Sequence, residues 1–276
     1  MATTKKPSRQ HPLPHLDPLT ETLEATRLRF MLPGAHEMAA PWGIDFKPLS
    51  AKQVREHVVS LGMEPPAQRP PPMRGSIIAI VRGNCCLEVP EHQIKLTLSG
   101  GDVVLITGQA AFTLRDEWRS PTKNLLQLLR REHIETLRGI RSGGAGAATT
   151  FFTGGFAAED DEDSPLLAAL PPVICIRGSD ATKAPWMEST LRFLNSELTA
   201  RLPGSQSVAN HLAHVLFVQA VRAYAATLPE DSDSTGNWFA ALFDPYLSVP
   251  LGLMHLRPEE QWTVASLAEA AEPPAA

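Results

Sequence analysis

Residues 75–116 read GSIIAIVRGNCCLEVPEHQIKLTLSGGDVVLITGQAAFTLRD, and the punctuation of this stretch decides the fold. Ser76–Val81 is a short apolar run rich in β-branched residues, Arg82-Gly83-Asn84 supplies a turn, and Cys85–Val89 continues extended. Gln93–Leu98 then alternates, with Ile94, Leu96 and Leu98 on one face and Gln93, Lys95 and Thr97 on the other. That two-residue period belongs to a strand with one buried side. A second turn at Ser99–Asp102 leads into Val103–Gly108 and Ala111–Asp116. Short strands separated by Gly and Asp at a spacing of roughly 8–12 residues predict an antiparallel sandwich or barrel.

The flanking segments read differently. Residues 1–16 carry Pro7, Pro12 and Pro14 with Lys and Arg and no periodicity, as a flexible tail does. From Asp17, DPLTETLEATRLRFML sets Leu19, Leu23 and Leu28 in a helical rhythm, with Asp17 as N-cap and Pro18 at the first helical position. The segment NLLQLLRREHIETLRGIR (124–141) has the period of a helix, whereas FFTGGF (151–156) reads as a strand that needs a partner.

After Ser164 the pattern turns helical. SPLLAAL begins a short helix that Pro171 and Pro172 end. Met187, Leu191, Leu194 and Leu198 form one stripe along a second helix, broken by Pro203-Gly204. A third follows in SQSVANHLAHVLFVQAVRAYAATL (205–228), with Val208, Leu212, Val215 and Leu216 on one face. The hairpin of these two helices has stripes that pack either on the strands or on a twin. The Met187, Leu191, Leu194 and Leu198 set is the candidate dimerisation seam. At the end, QWTVASLAEAAEPPAA (261–276) starts another helix behind Thr263 as N-cap, with Val264, Leu267 and Ala268 on its apolar face.

Composition excludes several function classes. The 276 residues are 43% hydrophobic and 20% charged, with a net charge of -5, the wrong sign for a surface that grips a phosphate backbone. No apolar run approaches the ~20 residues of a membrane span, and the first residues lack the apolar core of a secretory signal, so a cytoplasmic location is expected. Cys85, Cys86 and Cys175 are odd in number, and adjacent Cys85 and Cys86 point to opposite faces of a strand, which suits buried structural thiols better than a disulfide or a metal site. The strands at 75–89 and 103–114 hold no histidine: His92 falls in the hairpin between them, and His57 precedes them. His211 and His214 lie three apart on a helix without further ligands. No phosphate-binding glycine loop or nucleophile elbow is present, so neither a metal nor a cofactor is expected.

Five stretches in order, APWGIDF (40–46), IAIVRGNCCLEV with GDVVLITGQAAFTL (78–89 and 101–114), SPLLAALPPVICI (164–176), LFVQAVRAY (216–224) and DPYLSVPLGLMHLRPEEQWTVASLAEAA (244–271), resemble the AraC-type transcription regulators whose effector domain is a cupin. The resemblance implies an α+β fold: an antiparallel cupin-like β-barrel at 17–160, a helical dimerisation region at 164–230, and at 244–276 the vestigial start of a helix-turn-helix domain. In that family Trp262-Thr263-Val264 would lead into the DNA-reading helices. Both recognition helices are absent from this sequence, so no direct sequence-specific DNA binding is expected.

A metal-free barrel interior is an apolar pocket for a small molecule. Strand alternation and the family pattern nominate Trp42, Phe46, Ile78, Ile80, Cys86 and Phe112 as its lining, with Arg82 or Glu88 orienting a polar group. The expected partners are a small-molecule effector and a second subunit, either a copy of this chain or a full-length regulator. The competing reading is a metal-independent isomerase, cyclase or dehydratase acting on a hydrophobic metabolite, with Arg82, Glu88, His92 or Asp102 supplying acid or base.

Overall fold

The first helix ends early. In the computed structural model α1 spans Pro18–Thr26, Arg27 turns the backbone through a left-handed φ of 44°, and Leu28 opens strand β1 (Leu28–Met31). Leu28 and Phe30 are buried while Arg29 and Met31 point out, so a two-residue alternation overrides the helical spacing of Leu28. The structure describes residues 18–32, 34–65, 72–130, 139–158, 164–179, 186–200, 202–228, 238–242, 244, 247–257 and 259–271. The tail at 1–16 and the N-cap expected at Asp17 lie outside them.

Next come β2 (His36–Ala39), β3 (Gly43–Phe46), α2 (Ala51–Ser60), β4 (Gly75–Arg82) and β5 (Asn84–Val89). A 3-10 turn at Pro90–His92 precedes β6 (Ile94–Ser99), β7 (Val103–Thr107), β8 (Phe112–Arg115), β9 (Lys123–Asn124) and α3 (Leu125–Leu128). The helix expected across 124–141 is thus described only as the short α3; residues 131–138 lie outside the described residues, and Arg141 belongs to the next strand. That strand is β10 (Arg141–Gly143), and β11 (Ala148–Ala158) follows, the partnered strand expected at FFTGGF. The helical part comprises α4 (Pro165–Ala169), then β12 (Val173–Ile176), α5 (Met187–Ala200), α6 (Ser205–Ala225), α7 (Trp238–Ala241), α8 (Ser248–Leu256) and α9 (Val264–Ala271).

The cupin-like strands form two sheets rather than one closed ring. One has the order β10-β2-β11-β4-β7-β12, with β1 also on β11; the other has the order β6-β5-β8-β3-β9. Register fixes which side chains face the space between them. In the first sheet Phe151 pairs with Ile80 and with His36, Thr153 with Ile78, and Ile78 with Val104. In the second, Ile44 pairs with Leu114, Leu114 with Leu87, and Phe46 with Phe112. These residues meet in one buried cluster with Met38, Trp42, Cys85, Val89, Leu98, Ile106 and Ile140.

The opposite face of the first sheet is covered by helices. Strand β4 packs against α5, and β1, β7 and β12 pack against α6. Phe217 of α6 meets Phe30 and Phe156 edge-on at ring separations of 5.8 and 5.2 Å. Met187, Leu191, Leu194 and Leu198 are all buried within the protomer, α5 packing on α6 and β4. The candidate dimer seam is therefore consumed by internal packing. The buried side of α6 is Ala209, Ala213, Leu216, Phe217, Ala220 and Val221, rotated from the face read in the sequence, which leaves Val215 exposed. Strands and hairpin share one unit, Thr26–Leu228.

The remaining residues, before Thr26 and after Leu228, form a second unit containing Leu19, Leu23, Phe239, Leu242 and Leu253 as buried side chains. In it Thr263 caps α9, its hydroxyl accepting from the Ser266 N–H at 3.1 Å. Among the described residues no helix is long and apolar enough to cross a membrane.

Candidate functional site

Trp42 stands just before β3 and is held by its own backbone. Its N–H donates to the Asp116 carboxylate at 3.0 Å, and its carbonyl accepts from the Asp116 N–H at 3.1 Å. This two-way clamp between the start of β3 and the end of β8 aims the indole inward. There it stacks on Phe151 of the opposite sheet, ring centroids 5.3 Å apart and planes 18° from parallel. Phe46 and Phe112 stack on the same interior side, 4.6 Å apart at 9°.

The interior has a small polar corner. His36 is buried and lies 5.2 Å from the Phe151 ring. The Ile140 backbone N–H donates to its Nδ1 at 3.0 Å, so the proton of the neutral ring is on Nε2, which faces Thr153 Oγ1 at 3.2 Å. Trp42 Nε1 is also buried and has no hydrogen-bond partner. An unmet buried N–H costs about 1–3 kcal/mol, so this donor is a place where an acceptor from outside the chain would be stabilised.

Five residues nominated for the lining, Trp42, Phe46, Ile78, Ile80 and Phe112, lie in the interior cluster. Cys86 does not. It pairs with Arg115 on the outer face of the second sheet, while its neighbours Cys85 and Leu87 point in. The nomination was one residue out of phase, and a period of two sends such a residue to the other side. Arg82 is exposed at the end of β4, its Nε donating to Thr150 Oγ1 at 2.9 Å. Glu88 is on the outer face between Arg115 and Lys95, each 3.1 Å away.

His36, Met38, Ile140 and Phe151 were missed as interior residues. Neither strand announced its face: β11 is buried on both sides at Phe151 and Phe152, and β2 has only four residues, too few to show a period.

The four residues considered for acid-base chemistry do not form a constellation. Asp102 is a buried turn residue: one carboxylate oxygen accepts from the Ser99 N–H and Arg177, the other from the Gly178 N–H. His92 lines a surface cleft of about 410 Å³ with Glu91, Gln109, Leu167, Leu170 and Pro172. Among the described residues none of Arg82, Glu88, His92 and Asp102 hydrogen-bonds to another.

The environment of each thiol disfavours the thiolate. Burial, with Cys86 and Asp102 nearby, pushes Cys85 up to about 12, and burial raises Cys86 and Cys175 as well. Among the described residues no group of three or more His, Cys, Asp or Glu is placed to hold a metal ion.

Sequence comparison agrees with this architecture. The pattern of the Cupin family matches residues 17–226. A protein of Streptomyces lividans described as an AraC-like transcription regulator is 32% identical over 194 residues, 70% of this chain and 61% of that protein. A counterpart from Streptomyces antibioticus is 32% identical over 195 residues with the same coverage. The HTH-type transcriptional regulator AlkR of Acinetobacter baylyi is 38% identical over 107 residues, 38% of this chain and 34% of that protein. This chain thus spans about three fifths of the length of its Streptomyces relatives. Among solved structures, ToxT of Vibrio cholerae, with an unsaturated fatty acid bound, is 8% identical over 87% of this chain and 68% of its own, with a TM-score of 0.37. The chain belongs to the Cupin family, in the branch that forms the cupin region of AraC-like transcription regulators.

Proposed function

We propose that this chain is the sensing part of an AraC-like regulator and binds a small apolar metabolite between its two sheets, in the cytoplasm. The observation that carries this reading is the Trp42–Phe151 corner, where an aromatic stack lines an apolar interior and leaves one N–H without a partner. Partly buried aliphatic residues, including Ile94, Leu96, Leu125, Leu128 and Val173, pack against that interior and extend its apolar surface. Binding acts by changing how the protein pairs with a second subunit. That pairing uses apolar side chains left exposed on α5 and α6, Phe193 and Val215, since the stripe at Met187–Leu198 is spent internally. The partner is a copy of this chain or another AraC-like regulator.

The test is to expose the purified protein to a cell extract and identify the retained small molecules by mass spectrometry. A compound retained unchanged supports the sensor. A compound consumed, with a new mass appearing, overturns it in favour of catalysis.

A further inference from the structure

We propose that the ligand of this interior is an uncharged apolar molecule carrying one hydrogen-bond acceptor, a ketone, ester or ether oxygen, and that Trp42 Nε1 is the donor that selects it. The inference rests on the sensor reading above and adds the chemical class of the ligand.

Two features of the buried interior define that class. The first is the unpartnered donor: Trp42 is 3% exposed, its backbone is pinned by Asp116 and its ring by Phe151, so Nε1 has no freedom to turn toward water. A purely hydrocarbon ligand would leave that N–H unmet; an acceptor would satisfy it. The second is that the described residues place no buried cation between the sheets. Among the buried described residues Asp102 is the one that carries a full charge, and it sits in the β6–β7 turn bound to Arg177. The His36 ring is engaged at both nitrogens, Nδ1 accepting from the Ile140 N–H and Nε2 facing Thr153 Oγ1. A carboxylate brought between the sheets would lose its water without meeting a buried cation among the described residues, a cost that exceeds what one N–H returns. The interior therefore discriminates by charge as well as by polarity.

The probes are 2-octanone, octane and octanoate, three molecules of one chain length presented at pH 8, with affinity measured by calorimetry and the site read by NMR of the tryptophan indole N–H signals. The sequence has five tryptophans, and Trp42→Phe identifies the signal of Trp42 while keeping the stack on Phe151. On wild-type protein 2-octanone moves that signal downfield, as a new hydrogen bond does, and binds at least about tenfold more tightly than octanoate. The Trp42→Phe variant loses about tenfold in affinity for 2-octanone, the equivalent of one modest hydrogen bond, and keeps its affinity for octane within about twofold.

If octanoate binds most tightly, or if 2-octanone binds with every indole signal of the wild type unmoved, the inference is overturned while interior binding stands. If none of the three binds, the sensor reading falls with it. The wild-type shift is read without any variant, so misfolding of Trp42→Phe would not shelter the proposal.

Discussion

Trp42 and Phe151 stack across the gap between the two sheets, centroids 5.3 Å apart at 18°, one ring delivered by the start of β3 and the other by β11. The chain separates them by more than a hundred residues, so the contact exists only when both sheets are assembled. Replacing Phe151 with Ala removes a fully buried ring and leaves a cavity against both Trp42 and His36; a loss of about 3–5 kcal/mol of unfolding free energy is expected. Trp118, 40% exposed, serves as the control, and Trp118→Ala should cost far less. Urea denaturation of the two variants gives the comparison, and equal losses would mean that the stack does not organise the core.

Leu194 is 1% exposed and lies on the face of α5 that packs on α6 and β4. Leu194→Ala should lower the stability of the single subunit by about 2–5 kcal/mol, a loss whose size does not depend on protein concentration. A variant that melts like wild type and only shifts subunit association would restore the stripe as a dimer seam.

Asp102 and Arg177 contribute unequally to their 2.9 Å ion pair, because Asp102 is 5% exposed at the side chain and Arg177 42%. Removing Asp102 strips acceptors from the Ser99 and Gly178 N–H groups and from Arg177, whereas water reaches Arg177 and can replace part of what it supplied. Asp102→Ala should therefore destabilise more than Arg177→Ala, by about 1–3 kcal/mol. Thermal unfolding ranks them, and the reverse order would contradict the reading of Asp102 as the organising residue of the β6–β7 turn.

His214 titrates below its usual 6.5 because burial penalises its charge and His211 adds repulsion. Its ring lies 5.7 Å from that of Phe30. A basic group depressed in the folded state contributes stability that is intact above 6.5 and is lost as pH falls through that value, since the unfolded chain takes up the proton first. Loss of stability from pH 7 toward pH 5 should be smaller in His214→Gln than in wild type. Identical pH dependence in the two proteins would remove His214 from the account.

The sequence made the strands legible where their period was long enough to count. Ile94, Leu96 and Leu98 declared their face, and Ile78, Ile80 and Phe112 followed from the same alternation. Cys86 went to the wrong side because adjacent Cys85 and Cys86 give no contrast between them; the charge at Glu88, two residues on, marks the face of Cys86 as the outer one. Helix α6 failed for a related reason: alanines at 209, 213 and 220 mark its buried side, and small residues leave almost no amphipathic signal beside Val208, Leu212 and Val215. His36 and its bond to Ile140 join residues 104 apart on two short elements, and local pattern carries no trace of such a pair. The unpartnered indole N–H of Trp42 is likewise a property of assembled packing, not of spacing.

The most direct test is hydrogen–deuterium exchange with and without the compound retained from extract. If the interior is the site, protection appears in β2, β3, β8 and β11, the strands that carry or adjoin Met38, Trp42, Phe112 and Phe151. Protection confined to Glu91, His92, Gln109 and the α4 residues Leu167 and Ala168, around the 410 Å³ surface cleft, would contradict the account and move the site outside the sheets.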